Sequence, residues 1–156
     1  MLTFLLSDIA DFSYGVMPKK ELFNQGNIPV FSGYQITGTY PKYNLEENEL
    51  VLIARGVGGT GDVKLTPCRC WLTNLSIHIN LLSSAVSKNY LYYYFLAHNL
   101  RWLNSGSAQP QITIKDLANV KICVPNTEIQ NHIVDTIRTL FLKSLLLFLQ
   151  EPCLRL

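Results

Sequence analysis

Near Ser87 the apolar residues of this chain change their spacing. Ahead of it they stand in short blocks or alternate with polar residues between Gly, Pro, Asn and Asp, as in β-strands; beyond it they recur three and four apart, as in helices. The opening "LSDIADFSYG" predicts a short helix capped by Ser7 and ending toward Gly15. "GNIPVFSG" predicts a strand between turns, "GYQITGTYPKY" a second strand or hairpin, and "NELVLIARG" a buried strand. "DVKL" and "CRCWLTNLSIHINL" add further strands, Ile77 and Ile79 alternating with Ser76, His78 and Asn80. "SKNYLYYYFLAHNLRWLN" predicts a helix of four to five turns, capped by Ser87, with Leu91, Phe95, His98 and Trp102 along one side. A loop at "SGSAQPQIT", a helical turn at Lys115–Ala118 and a strand at "VKICVP" lead to "NTEIQNHIVDTIRTLFLKSLLLFLQ", a helix capped by Asn126 or Thr127.

In that last helix Ile133, Ile137, Leu140, Ser144 and Leu147 follow heptad spacing, and Val134, Phe141, Leu145 and Phe148 form a second stripe beside them. A face that wide asks for a partner helix. The expected fold class is α+β, a β-rich globule over residues 1–125 followed by a C-terminal helix over 126–150.

Composition agrees with one folded domain: 156 residues, 48% hydrophobic and 15% charged. The net charge of +2 is modest but unevenly placed. Residues 63–115 hold Lys64, Arg69, Lys88, Arg101 and Lys115 with no acid, whereas residues 1–49 hold six acids and three bases. That middle segment suits a polyanion, or is a chance gap in a lightly charged chain. Cys68, Cys70, Cys123 and Cys153 form no C-x-x-C pair and nothing resembles a signal peptide, so reduced thiols in the cytoplasm are expected. The apolar run near the C-terminus contains Lys143 and is shorter than the roughly 20 residues that span a bilayer, so no membrane segment is expected.

"LVLIARGVGGTGD" raises the sharpest chemical question, because Gly56, Gly58 and Gly61 satisfy G-x-G-x-x-G. A dinucleotide site needs a helix at the loop and an acid some 20 residues later. Here Pro67 and β-type residues follow, and no carboxylate appears between Asp62 and Asp116. A triphosphate loop fails too, since Asp62 occupies the place of the lysine. Two readings remain, a plain hairpin turn or a loop that presents Arg55 and Lys64 to phosphates.

Enzyme chemistry is not announced. His78, His98 and His132 are far apart in sequence, and Cys68, Cys70 and His78 lack the spacing of a structural zinc site, so neither a catalytic triad nor a metal is expected. The N-P-P-Y type tetrapeptide of amino-methyltransferases is absent, as is a nuclease pattern of paired acids with a following lysine.

The most specific stretch is "NSGSAQPQITIKDLANVKICVPNTEIQNHI", Asn104 to Ile133. Its Ser-Gly-Ser-Ala-Gln-Pro loop, Ile112, Leu117, the strand ending at Pro125, and Gln130 with Ile133 resemble the junction between a target recognition domain and its helix in the specificity subunits of Type I restriction-modification systems. "GNIPVFSG", "LIARGVGGTG", "YLYYYFL" and the opening "LSDIADFSYG" stand where that family has a Gly-x-Ile-Pro strand, an Arg-Gly-x-x-Gly loop, an aromatic helix and its usual start. The resemblance runs in order over residues 6–138.

It implies recognition of double-stranded DNA without catalysis. Two such domains, each with a long helix, read the halves of a bipartite site. Methyltransferase subunits carry S-adenosylmethionine, so no cofactor is expected on this chain, and a restriction subunit completes the complex. After Thr139 the chain departs from the family, whose helix carries many charges where this one has "LFLKSLLLFLQEPCLRL". Either it is a truncated, non-DNA-binding interaction protein that dimerises through its apolar C-terminal helix, or a half-subunit whose helix pairs with a copy of itself; the partner face in both readings is Ile133, Ile137, Leu140, Phe141 and Leu147.

Bases are distinguished mainly in the major groove by Arg, Lys, Asn and Gln, while most contacts go to phosphates. The candidates are therefore Arg55, Lys64 and Arg69, then Lys19, Lys20, Tyr40 and Lys42, with Gln109 and Gln111 from the junction loop. Tyr90 to Phe95 and Trp102 are expected in the core.

Overall fold

The computed structural model describes residues 1–56, 58–104 and 110–150, with the backbone alone for 149 and 150. Strand β1 (Leu2–Leu5) leads into a single helical turn, α1 (Leu6–Ile9), and then β2 (Ala10–Tyr14). A 3₁₀ turn at Lys20–Leu22 precedes β3 (Ile28–Ser32) and β4 (Gln35–Tyr40), followed by β5 (Leu50–Ile53), β6 (Val63–Leu65), β7 (Trp71–Leu72) and β8 (Ser76–Leu81). Helix α2 (Lys88–Ala97), a 3₁₀ turn at Arg101–Leu103, α3 (Ile114–Ala118), β9 (Lys121–Val124) and α4 (Thr127–Gln150) complete the chain.

The strands form three sheets: β1-β9, β2-β8-β5-β6 and β4-β3-β7. The central four-stranded sheet is antiparallel throughout, with Leu50 opposite Ile79 on one side and Leu65 on the other. Its strand β5 is an unbroken apolar run because both faces are covered. Leu50, Leu52 and Ala54 join the main core with Tyr90, Leu91 and Phe95 of α2, Leu117 of α3 and Val134 of α4. Val51 turns the other way, into a smaller cluster with Leu45, Cys70, Leu72 and Phe31 beneath the β4-β3-β7 sheet. Burial pushes the Cys70 thiol up to about 11, so at neutral pH it behaves as an apolar side chain.

Strand β1, which local pattern does not announce, pairs with β9 from Leu2↔Val124 to Leu5↔Lys121. That pairing sets the start of the chain beside the entry to the last helix. The helix expected at "LSDIADFSYG" is one turn long, and Ala10–Tyr14 is extended because it pairs with β8 from Ala10↔Leu81 to Tyr14↔Ile77. Ser7 lies inside the turn, and the Asp8 carboxylate accepts from the Leu5 amide at 3.0 Å in its place.

Ser87 does cap α2, its Oγ accepting from Tyr90 N at 3.3 Å, but the helix stops at Ala97 rather than running to Asn104. At His98 the backbone leaves the helical region (φ −121°, ψ 68°), which lets Leu100 turn into the core and its amide bond to Gly61 O at 3.2 Å. Burial of Leu100 thus overrides the helical spacing. Trp102 consequently leaves the buried stripe and stands 68% exposed, contrary to the expectation of a core position.

Helix α3 carries a reciprocal cap: Thr113 Oγ1 accepts from Asp116 N at 3.2 Å, while the Asp116 carboxylate accepts from Thr113 N at 3.0 Å. Helix α4 is 24 residues long, about 36 Å at 1.5 Å per residue, and Asn126 Oδ1 caps it by accepting from Ile129 N at 3.0 Å. Its first half rests on the body through Val134, buried, and Ile133, partly buried. Gln130 is fully buried there: its Oε1 accepts from Ser87 N, and its Nε2 donates to Ala85 O and Pro125 O, all at 2.8 Å. Beyond Arg138 the described side chains are exposed, Leu140 at 61% and Phe141 at 68% among them.

Candidate nucleic-acid interface

The glycine loop joins β5 to β6 and begins at Arg55, whose backbone forms an isolated bridge with Gln111. Gly61 N donates to Ile53 O and Ile53 N to Asp62 O, both at 2.9 Å, so the loop closes an antiparallel hairpin and starts no helix. Its glycines serve conformation and close approach. Gly61 has φ +96°, and a Cβ there would lie 2.6 Å from the Arg101 amide nitrogen; one on Gly59 would strike the Tyr34 ring. Beside Gly56 and Gly58, both at positive φ, no atom of the described residues stands within 4 Å of such a Cβ, so among the described residues nothing covers this part of the loop. Thr60 Oγ1 donates to Gly56 O at 2.8 Å, folding the loop on itself.

Four side chains from three segments converge at the loop's end. Arg101, on the 3₁₀ turn after α2, grips Asp62 with two parallel bonds, Nε to Oδ1 and Nη2 to Oδ2, each 2.9 Å. Tyr34, in the turn between β3 and β4, donates its hydroxyl to Asp62 Oδ2. Lys64 Nζ stands 4.0 Å from the Tyr34 ring centroid and donates to Tyr34 O at 3.3 Å. The Arg101 bonds hold the Asp62 carboxyl below the usual carboxylate range, with the Tyr34 bond adding to them. The same contact to Asp62 raises the Tyr34 phenol, and burial lowers the Lys64 ammonium. Two cations, one anion and a phenol are thereby fixed together, Arg101 still 55% exposed.

Of the residues expected from sequence, Arg55, Lys64 and Gln111 lie at this loop. The Arg55 guanidinium carbon is 5.8 Å from the Tyr14 ring centroid. Gln111 N is held by Asn104 Oδ1 at 3.1 Å. Gln109 lies outside the described residues.

The others gather elsewhere. Lys19 N donates to the Tyr40 hydroxyl at 3.4 Å, placing Lys19, and Lys20 beside it, at the far end of β4, where Lys42 also stands. That end is roughly 20 Å from Tyr34 at ~3.3 Å per residue. All three lysines are exposed. Tyr40 itself is 3% exposed and packs against Trp71 with ring centroids 4.3 Å apart, so burial removes it from the side chains a ligand could reach. Arg69 leaves the β6–β7 connection, pairs with Glu46 at 2.7 Å and lies over the Tyr43 ring.

Pairing across the fold also alters the charge picture. Of the five bases in the acid-free segment, Arg69 pairs with Glu46, Lys88 with Glu49 at 2.8 Å and Arg101 with Asp62. Acids from residues 46–62 thus neutralise in space a run that looked uncompensated in sequence. Glu49 also meets His78 at 3.0 Å; burial by itself would raise its carboxyl, and the bonds from Lys88 and His78 turn the shift downward. Tyr34 and Asp62 join the cluster without a local sequence signal, because the partners of Asp62 lie 28 and 39 residues away.

The described cysteines, Cys68, Cys70 and Cys123, are free, and no group of three metal-ligating side chains occurs among the described residues. Among them, too, no helix is long and apolar enough to cross a membrane.

The structure thus presents a β-rich body with a glycine loop flanked by cations and amides, and a long helix docked on it by its first half. Residues 1–147 match the Type I restriction modification DNA specificity domain family, and the chain belongs to that family. No curated protein sequence matches it.

Among solved structures it is similar to the Type-I restriction-modification system S subunit from M. genitalium, with a TM-score of 0.78 and 24% identity over 88% of this chain and 38% of that one. It is also similar to a chain from a structure on complex assembly and conformational transition of the type I R-M system (TM-score 0.77, 18% identity, covering 94% of this chain and 39% of that one). The HsdS subunit from Thermoanaerobacter tengcongensis gives a TM-score of 0.69 at 20% identity, over 98% of this chain and 40% of that one. At these identities the likeness is one of fold, and the chain spans about two fifths of each of these structures.

Proposed function

We propose that this chain supplies one target recognition domain, residues 1–125, and its helix, 126–150, to a DNA specificity subunit, and that it reads half of a bipartite duplex site. The observation that carries this is the family match over residues 1–147. Arg55, Lys64 and Gln111 are the proposed contacts at one end of the β3–β4 hairpin, and Lys19, Lys20, Lys42 and Arg69 form a second set at the other; Gln109, outside the described residues, is proposed as a contact from the sequence alone. The chain acts without chemistry of its own, directing methyltransferase and restriction subunits, with S-adenosylmethionine on the former. A truncated interaction protein that has lost DNA binding accounts less well for a loop both open and ringed by cations.

Phosphate contacts release counterions, so each one contributes about −0.9 to the slope of log affinity against log salt. The full chain is expected to bind duplex with a steep negative slope and to enrich a sequence from a random duplex library. Salt-independent binding, or a library that emerges random, contradicts the proposal.

The exposed second half of α4 is proposed to pair with another such helix, from the second half of a specificity subunit or from a second copy. Ile133 and Ile137 are already partly covered by the body, which leaves Leu140, Phe141 and Leu147 as the available face. Light scattering of the full chain should give a mass above the monomer, and a chain ending at Arg138 should give the monomer mass. The same oligomeric state for the two chains excludes self-association through this face.

A further inference from the structure

We propose that Arg101 is a base-reading residue of this domain, that its target is a guanine in the major groove, and that Asp62 is the positioning residue that aims it. The inference rests on the DNA-recognition function proposed above and adds a residue to it.

The geometry distinguishes Arg101 from the other cations. A guanidinium has five N–H donors in a rigid plane, and Asp62 takes two of them, from Nε and Nη2. The Tyr34 hydroxyl also lies against the guanidinium; among the described residues no other side chain bonds the edge formed by Nη1 and the second hydrogen of Nη2, on a side chain 55% exposed. Two parallel donors in one plane match the O6 and N7 acceptors of guanine, the commonest specific contact in the major groove. Lys64 cannot offer this, since its ammonium is a point charge already set against the Tyr34 ring and carbonyl. Arg55 is half-buried, against Tyr14.

The pairing with Asp62 also decides between base and phosphate. An Arg–carboxylate pair has no net charge, and its carboxylate repels a phosphate. It keeps the direction of the free donors, which a base edge requires, while giving up the charge that phosphate binding uses. The position is fixed from several sides. Tyr34 holds Asp62; Arg101 N bonds Asn99 Oδ1 at 3.2 Å; Gly61 lies so close beneath the Arg101 backbone that a side chain would not fit. The guanidinium is thus ordered before DNA arrives, and no described residue fills the space beside Gly56 and Gly58 that the groove wall would take.

The test compares enrichment from a random duplex library for the full chain, Arg101→Lys and Asp62→Asn, each first shown by thermal melting to be folded. The unmodified chain should enrich a site with a G·C pair at one position that Arg101→Lys reads at least about tenfold less selectively, its salt slope changing by less than about one. Asp62→Asn should lower selectivity at that same position and raise affinity for arbitrary duplex, because a repelling charge is gone. If the unmodified chain enriches no sequence, the proposed function fails and this inference falls with it. If it enriches a site that Arg101→Lys selects equally well, the assignment of Arg101 alone is overturned. Unchanged selectivity in Asp62→Asn overturns the positioning role.

Discussion

Gly61→Ala is expected to destabilise the chain by about 3 kcal/mol and to lower Tm by roughly 10 °C. Two separate effects add. A residue with a side chain is strained at φ +96°, and the new methyl would fall 2.6 Å from Arg101 N, 2.7 Å from Arg101 Cα and 2.8 Å from Leu100 C. Those atoms are backbone and cannot swing aside as a side chain can. Gly58→Ala separates the two effects, since Gly58 has φ +92° but open space around it, and its loss should be about 1 kcal/mol. Thermal unfolding of both variants checks this. Equal losses would mean that the close approach of the loop to Arg101 contributes nothing, and that the glycine at 61 answers to conformation alone.

That comparison bears on how a cofactor-like string of glycines arises without a cofactor. The sequence pattern of residues 56–61 is shared by any loop that needs several positive-φ positions in a short span. Only the surroundings tell the cases apart, and those were legible: Pro67, the β-type residues after Asp62 and the long gap before the next acid exclude a helix N-terminus at the loop. What the loop does pack against was not legible, because Tyr34 and Arg101 are 28 and 39 residues from Asp62 in sequence.

The same distinction between near and far contacts runs through the fold. Strand β5 announced itself by an apolar run, β8 by alternation, and α4 by a cap lying within a few residues of the turn it closes. The short α1 and the early end of α2 were not readable. In each case a distant partner, β8 for Ala10–Tyr14 and Gly61 with the core for Leu100, outweighs a local helical signal of a few tenths of a kcal/mol per residue. The charge run failed for a related reason, since Glu46, Glu49 and Asp62 reach bases 23 to 39 residues away. Electrostatic character belongs to the folded surface, and a window along the chain reports it only when the partners are local. The order of motifs is different: it carries family membership, which no single spacing or charge could.

Gln130→Leu is expected to cost about 3–4 kcal/mol and to loosen α4 from the body. The substituted side chain has similar bulk, so little of the loss comes from a cavity. It comes from leaving Ser87 N, Ala85 O and Pro125 O unpaired, with the orphaned N–H the most expensive of the three. Gln130→Glu gives a second, pH-resolved readout. Its carboxylate could still accept from Ser87 N but would face two carbonyl oxygens in a fully buried site, so its folded pKa rises above the unfolded value. The protonated acid can donate to one of those carbonyls; stability relative to the unmodified chain should therefore be highest below about pH 4 and fall as pH rises through the folded pKa. Denaturant unfolding of both variants across that range checks the account. A Gln130→Leu chain as stable as the unmodified one to within about 1 kcal/mol would show that the helix is held by Ile133 and Val134 alone. Because Gln130 ties the segment before α2, the end of β9 and the start of α4 to one another, it fixes the direction in which the helix leaves the body, and any spacing that the helix sets between two recognition domains depends on that direction.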